Sequence, residues 1–502
     1  MPLTVQPGAP LPGIEHIVVL MFENRSFDNV LGNLYPNSPA FDGIPDDAFN
    51  RYRNLDGEHI VRPGNTPPSG KSIYITPNPD PAESHKDMVL QIYDGGSEAT
   101  MGGFAQSYHN AHPLAGSPGD VMCYFDSNAE DGAGQLPVTA FMARNFAVSD
   151  RWFGAGPVQT FPNRMFAFCA MPGEFHELLH ESVKTAPINN TDYILHGSGY
   201  VRVLGSVTQT TVFELLDRAA NSSSPDPANW KVYFHDVSLS AISSYVYAAL
   251  EAGSPCVSNF DTSDYNPPHG GNTFADDVRN GTLPAFAWIE PRYWGNYSQS
   301  GEPANSNHPG NDNYLDFGLT GQPIDCAHGE TLLATVLNTL NANPEVFNRT
   351  LLVVIYDEHG GVWDHVPPAA APTPYGPDSG VKNAEVYSTT GPRVPAMFAN
   401  PLIPAGTVLR PAGGPAFDHT SLIATLTAQF GLAGPLTARD AAAPVLDNLI
   451  PPGATPRPPS ECALPASLTD GLPRPDGGTP GPRRTMDEHE QVVRGWALGR
   501  TE

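Results

Sequence analysis

The sequence predicts an α/β fold built on a mostly parallel sheet, and three observations predict it. Residues 17–22 (IVVLMF) and 351–356 (LLVVIY) are short, unbroken apolar runs of the kind that form strands covered on both faces. Further apolar runs recur along the chain and alternate with segments of helical spacing. The 502 residues are 40% hydrophobic, enough for a sizeable core, yet no apolar run is long enough to cross a bilayer.

Taken in order, residues 1–13 form a Pro-rich lead-in, and the strand at 17–22 is followed by a helix start at 27–34 with Ser26 or Asp28 as cap. Residues 35–82 are dense in turn formers and read as a surface excursion. Helical spacing returns at 83–93, which carries His85, and again at 136–146, before a short strand at 147–153. A loop with Gly154, Gly156 and Pro157 then delivers Thr160 to an apolar helical run. Residues 172–282 are the least regular part; within them 210–219 predicts a helix and 230–234 a strand ending at His235-Asp236. Strands follow at 283–290, 351–356 and 394–398, with helices at 325–340 and 422–429. Beyond 450 the chain is Pro-rich and reads as a linker or wrapping tail, with a short helix at 486–498. The organisation expected is one domain over 1–450 with a loop-rich insertion at about 172–282, and a tail over 451–502.

A net charge of −27 argues against nucleic acid as a partner and against docking on anionic membrane through a basic patch. A small anionic substrate stays compatible, because a bound cation reverses the local field. The first residues lack the basic and apolar regions of a signal peptide. The expected location is therefore the cytoplasm, or the periplasm or exterior for a mature form. Five widely spaced cysteines (Cys123, Cys169, Cys256, Cys326, Cys462) form no CxxC pair and read as scattered thiols.

The chemistry is concentrated where two apolar strands stop. The first ends at Glu23-Asn24 and the second, more than three hundred residues on, at Asp357-Glu358. Carboxylates at the carboxyl end of a buried strand are expensive unless something binds them, and that rim is where open α/β sheets hold ligands. Glu23, Asn24, Asp357 and Glu358 make an all-oxygen set that suits one hard divalent cation, Ca, Mg or Mn rather than Zn. Thr160 has two readings. A hydroxyl at a helix N-terminus is placed to attack a phosphate, but Thr there is also an ordinary cap with Pro162 in the first turn. His85, near a helix start, is likewise either a capping residue or a catalyst.

Four stretches resemble the phosphoesterase family of bacterial phospholipases C, a family that includes a broad-specificity acid phosphatase and the non-specific phospholipases C of plants. They are Glu23 to Asp28 (ENRSFD), Thr160 to Arg164 (TFPNR), Tyr356 to Gly361 (YDEHGG) and Gly391 to Pro395 (GPRVP). They occur in family order, with Asp418 to Ser421 and the LTARDAAAP stretch at 436–444, between about residues 14 and 450. The resemblance implies an alkaline-phosphatase-like three-layer sandwich around a twisted, mostly parallel sheet, and hydrolysis of phosphate esters. It implies Glu23, Asn24, Asp357 and Glu358 as metal ligands, Thr160 as nucleophile, Asn163 as a polar neighbour of that nucleophile, and His308 and His85 as catalytic histidines. His235 is carried as a further site histidine. Where the family usually has Pro-His, this chain has Glu83-Ser84-His85.

The mechanism so implied passes through a phosphothreonine, and the substrate is a phospholipid or a soluble phosphoester. Two other classes compete: a soluble phosphomonoesterase of acid-phosphatase type without lipid activity, and a non-catalytic metal-binding homologue. A sulfatase is disfavoured, since its formylglycine is made from Cys or Ser and residue 160 is Thr.

Overall fold

The computed structural model describes residues 3–128, 134–177, 180–195, 203–261, 271–293, 303–310, 323–376 and 378–472. Among them a central eight-stranded sheet is built from β1 (His16–Phe22), β2 (Ala147–Ser149), β3 (Trp230–Phe234), β4 (Val257–Asn259), β5 (Phe286–Ile289), β6 (Thr350–Tyr356), β7 (Ala396–Ala399) and β8 (Thr407–Val408). The strand order is β8-β2-β7-β6-β1-β5-β3-β4. From β6 through β1, β5 and β3 to β4 every pairing is parallel, while β7 runs antiparallel to β6 and to β2. The expected mostly parallel α/β sandwich is what the chain adopts.

The two apolar runs occupy the middle of this sheet because their side chains need cover on both faces. Every residue of β6 is buried, as are residues 17–22 of β1. The two strands pair in register along their full length, so that Phe22 lies opposite Tyr356. That register has a direct consequence: Glu23-Asn24 and Asp357-Glu358 leave the sheet side by side on one rim.

Helices surround the sheet, among them α1 (Phe27–Val30), α2 (His85–Tyr93), α3 (Pro137–Asn145), α4 (Thr160–Cys169), α5 (Val212–Ala219), α6 (Cys326–Asn341) and α7 (Thr420–Phe430). α4 packs against α7, and α6 against α3. Phe168 of α4 meets Trp288 of β5 edge to face at 4.6 Å, which fixes the helix over the centre of the sheet.

Several expectations are adjusted. The helix expected at 27–34 is a single turn ending at Val30. The 35–82 excursion contains an antiparallel hairpin, Asn50–Asn54 with Gly57–Val61. The segment 172–282, expected as a loop-rich insertion, supplies β3 and β4 to the sheet itself, because its short apolar strands find parallel partners there. Part of the Pro-rich tail docks on the body: Arg457 Nη2 donates to the Asn145 carbonyl at 2.7 Å, and Asn145 Nδ2 to the Glu461 carbonyl at 2.8 Å. The short helix expected at 486–498 lies outside the described residues. All five cysteines are buried free thiols. No described helix is long and apolar enough to cross a membrane.

Candidate active site

The rim where β1 and β6 end is shaped by two residues in left-handed backbone conformation. Asn24 has φ +56°, which Asn tolerates better than most residues, and Gly360 has φ +62°. A Cβ on Gly360 would lie 2.1 Å from the Asn24 carbonyl oxygen, so the two chain ends approach only because that position is glycine.

Asp357 is the keystone. Its Oδ1 accepts from the backbone N–H of Asn24 at 3.0 Å and of Glu358 at 2.7 Å. Its Oδ2 accepts from Arg164 Nε at 3.1 Å. Arg164, fully buried, also reaches Glu290 at 3.3 Å and lies 4.0 Å from Glu23. A single arginine on α4 thus ties the helix to the ends of β1, β5 and β6. His419 supports the same point from behind: its Nδ1 accepts from Trp152 Nε1 at 3.3 Å, which leaves Nε2 to donate to the Asp357 carbonyl at 2.6 Å.

Thr160 is the first residue of α4, and the position before it, Gln159, is the cap; the Thr160 hydroxyl is not spent on capping. Its Oγ1 stands 3.5 Å from Asn24 Oδ1, and the residue is 1% exposed. Asn163 uses its amide on the loop that presents Thr160. Its Nδ2 donates to the Val158 carbonyl at 2.6 Å, and its Oδ1 accepts from Gly156 N–H at 3.1 Å.

Three histidines have distinct settings. His308 is buried, with Nδ1 at 2.5 Å from the Pro309 carbonyl and Nε2 at 3.8 Å from Glu83 Oε1. Burial opposes its charged form, but the carboxylates of Glu83 and Glu23 outweigh burial and hold its pKa above the usual value. His85 opens α2 and places Nδ1 2.8 Å from the Pro157 carbonyl, in the loop that carries Thr160. His235 lies behind the rim, stacked on Phe260, with Nδ1 2.9 Å from the Glu290 carbonyl. Burial lowers its pKa to about 3 and keeps it neutral. It borders a cavity of about 40 Å³ lined also by Arg292, Asn305 and His328. The structure therefore gathers Glu23, Asn24, Thr160, Asp357, Glu358, His85 and His308, and sets Asn163 and His235 one layer out.

Sequence reasoning assigned no role to Glu83, Arg164 or Glu290. Arg164 was visible inside the TFPNR stretch. Glu83 offered a weaker signal, an acid just before the Ser84 cap of α2. Glu290 offered an acid at the end of a third buried run. All three are buried.

Residues 14–433 match the phosphoesterase family. The chain belongs to the phosphoesterase family. Like its relatives it is a phosphoric ester hydrolase. Non-specific phospholipase C5 of Arabidopsis thaliana is 30% identical over 458 residues, covering 87% of this chain and 74% of that protein. Non-specific phospholipase C6 of the same plant is 29% identical, covering 90% of this chain and 74% of that protein. Phospholipase C A of Mycobacterium tuberculosis is 27% identical, covering 85% of this chain and 76% of that protein.

The rim of this phosphoesterase suits a hard cation by its donor chemistry. Burial raises the pKa of Glu23 to about 7, with Asp357 among the groups pushing the same way. Burial, then the neighbouring Asp357 charge, hold Glu358 well above the usual carboxylate range. Among the described residues no lysine or arginine pairs with Glu358, whose Oε2 accepts from Gly360 N–H at 2.8 Å and lies 3.3 Å from His359 Nδ1. Arg164 covers Asp357 and stands near Glu23, but Glu358 has no lysine or arginine beside it among the described residues; a divalent ion would relieve this crowding, and the oxygens fit Ca, Mg or Mn.

Proposed function

We propose that this phosphoesterase hydrolyses phosphodiesters of phospholipid type in two steps through a phosphothreonine on Thr160. The observation that carries the reading is the Thr160 hydroxyl, uncommitted to capping, at the N-terminus of α4 and 3.5 Å from Asn24 at the acidic rim. Glu23, Asn24, Asp357 and Glu358 would hold one divalent cation, which supplies charge neutralisation and favours the alkoxide form of the nearby hydroxyl.

The remaining steps belong to the protein's own groups. Thr160 Oγ attacks phosphorus in line and passes its proton to a surrounding carboxylate. The positive end of the α4 dipole stabilises charge on the phosphate oxygens. As the bond from phosphorus to the leaving alkoxide breaks, His308 donates its Nε2 proton to that oxygen, and the departing product is an alcohol. A raised pKa suits His308 to this role, and its Nδ1 is held 2.5 Å from the Pro309 carbonyl. Neutral His308 then takes a proton from water, whose oxygen attacks phosphorus; the P–Oγ bond breaks, the carboxylate returns its proton to Thr160 Oγ, and the phosphomonoester leaves. His85 is placed to hold a phosphate oxygen. Diesters are favoured over monoesters because a monoanion meets less repulsion than a dianion at a rim rich in carboxylates; the relatives named as phospholipases C support the same class.

The test is Thr160→Ala, expected to lower kcat/KM by roughly a thousandfold or more with the fold intact. Acid-quenched wild-type protein should carry phosphate on the peptide containing Thr160. Turnover of the variant within about tenfold of wild type would remove Thr160 from the nucleophile role. Phosphatidylcholine micelles, p-nitrophenylphosphorylcholine and p-nitrophenyl phosphate, assayed side by side, separate diester from monoester preference.

A further inference from the structure

We infer that Glu83 is a further ligand of the cation at this rim, joining Asn24 and Glu358. The inference rests on the reading of Glu23, Asn24, Asp357 and Glu358 as that seat.

Two carboxylates converge on one point. Asn24 Nδ2 lies 2.6 Å from Glu83 Oε1 and 3.1 Å from Glu358 Oε1. Glu358 comes from the end of β6, whereas Glu83 arrives from a loop nearly three hundred residues earlier, so the convergence is built by the fold. An amide nitrogen between two carboxylates donates to both. Were the Asn24 amide turned to present Oδ1 there, three oxygens would face one another, an arrangement that a cation stabilises, and Nδ2 would take over the 3.5 Å contact with Thr160 Oγ1.

The backbone makes room for Glu83. Gly361, with φ +63°, passes so close that a Cβ would stand 2.7 Å from Pro81 Cβ and 3.0 Å from the Ala82 carbonyl. Gly310, with φ +90°, does the same beside Asp80, where a Cβ would lie 2.8 Å from Asp80 Cβ. Both glycines let the 80–83 loop press into the rim. Nor is Glu83 needed to start α2, because Ser84 caps that helix by accepting from Asp87 N–H. Glu83 is 7% exposed, and among the described residues no lysine or arginine pairs with it. Its cationic neighbour is His308, with Nε2 3.8 Å from Oε1. Asp80, Glu83 and His308 place ligand atoms within 4.8 Å of one another.

The experiment is equilibrium dialysis of Mn²⁺ against metal-stripped full-length protein. Glu83→Gln and Glu358→Gln should each raise the Kd for Mn²⁺ about tenfold or more, while Glu98→Gln, an equal charge change at an exposed site, should leave it unchanged. The rise in Tm on adding Mn²⁺ should shrink in Glu83→Gln. Glu83→Asp keeps the charge but shortens the reach; should Glu83→Gln not fold, loss of affinity in Glu83→Asp supports the same conclusion. A Kd for either Glu83 variant within about twofold of wild type, beside a weakened Glu358→Gln, overturns the role of Glu83 alone. A Kd unmoved in Glu358→Gln as well overturns the cation seat on which it rests.

Discussion

At the scale of single residues, the proposed mechanism divides the site into groups that face the substrate and groups that hold others in place. His308 and His85 can be told apart by their leaving-group dependence. If His308 is the acid, His308→Ala should slow a glyceryl ester far more than a p-nitrophenyl ester, since p-nitrophenolate departs without protonation. His85→Ala should slow both by a similar factor. Equal losses for His308→Ala, with unequal losses for His85→Ala, would exchange the two roles. A second residue-level device lies beside the site. His365 Nδ1 contacts Asp28 at 2.7 Å and its Nε2 contacts Asp42 at 3.2 Å, while Arg393 bridges Asp28 at 2.8 Å and Asp364 at 2.9 Å. Burial opposes the charge on His365, but the bonds to Asp28 and Asp42 raise its pKa from 6.5 to about 9. With the folded pKa above the unfolded one, this stabilisation is complete below about pH 6 and is lost as pH rises through about 9. Its magnitude is at most about 3 to 4 kcal/mol. The urea-midpoint gap between wild type and His365→Gln should therefore be wide near about pH 6 and narrow near about pH 10; a gap that stays constant rules out the linkage. Arg393 stood in the GPRVP stretch, yet its burial among aspartates is a product of the fold, invisible in the linear pattern.

At the scale of elements, the register of β1 against β6 and the turn after β6 determine the rim. The runs at 17–22 and 351–356 were legible as strands because unbroken apolar runs of that length need cover on both faces. Their pairing and register were not, since no local signal says which strand lies beside which. Gly360→Ala tests the turn. A methyl group 2.1 Å from the Asn24 carbonyl, on a residue with φ +62°, should lower stability by roughly 1–3 kcal/mol and weaken Mn²⁺ binding. An unchanged Tm and Kd would mean that the turn relaxes without moving Asn24. The start of α3 shows the same dependence on distant partners. Glu330 of α6 accepts from Val138 N–H at 2.6 Å and Thr139 N–H at 3.2 Å, capping a helix that has no local side-chain cap. The helix at 325–340 was readable from its spacing; that its Glu330 serves α3 was not.

At the scale of the whole molecule, a net charge of −27 surrounds a rim that is itself acidic, so an anionic substrate approaches against the field. In the proposed function a bound cation makes that approach favourable, and its removal should be decisive. Chelation is expected to abolish turnover, and Mg, Ca or Mn should restore it better than Zn, because the proposed ligand set is oxygen alone. Stoichiometric zinc in fully active protein, or full activity after metal stripping verified by elemental analysis, would defeat this expectation. The sheet explains why the loops between its strands can be long and turn-rich. Its centre is secured by β1, β5 and β6, so the segments around the rim need only deliver side chains.

The sequence by itself determined the α/β class, the central strands, the acids at their ends and Thr160 at the head of a helix. These features are local: apolar runs, helical spacing and the residues that interrupt them. The tertiary structure alone decided that Arg164 ties α4 to Asp357 and Glu290, and that Asn163 serves the loop before Thr160. It also decided that Glu83 reaches Asn24 from outside the four stretches that carry the resemblance. The physical reason is common to all three. A buried polar group must find its partner wherever the fold brings one, and that partner is set by the packing of distant segments, which no spacing along the chain records.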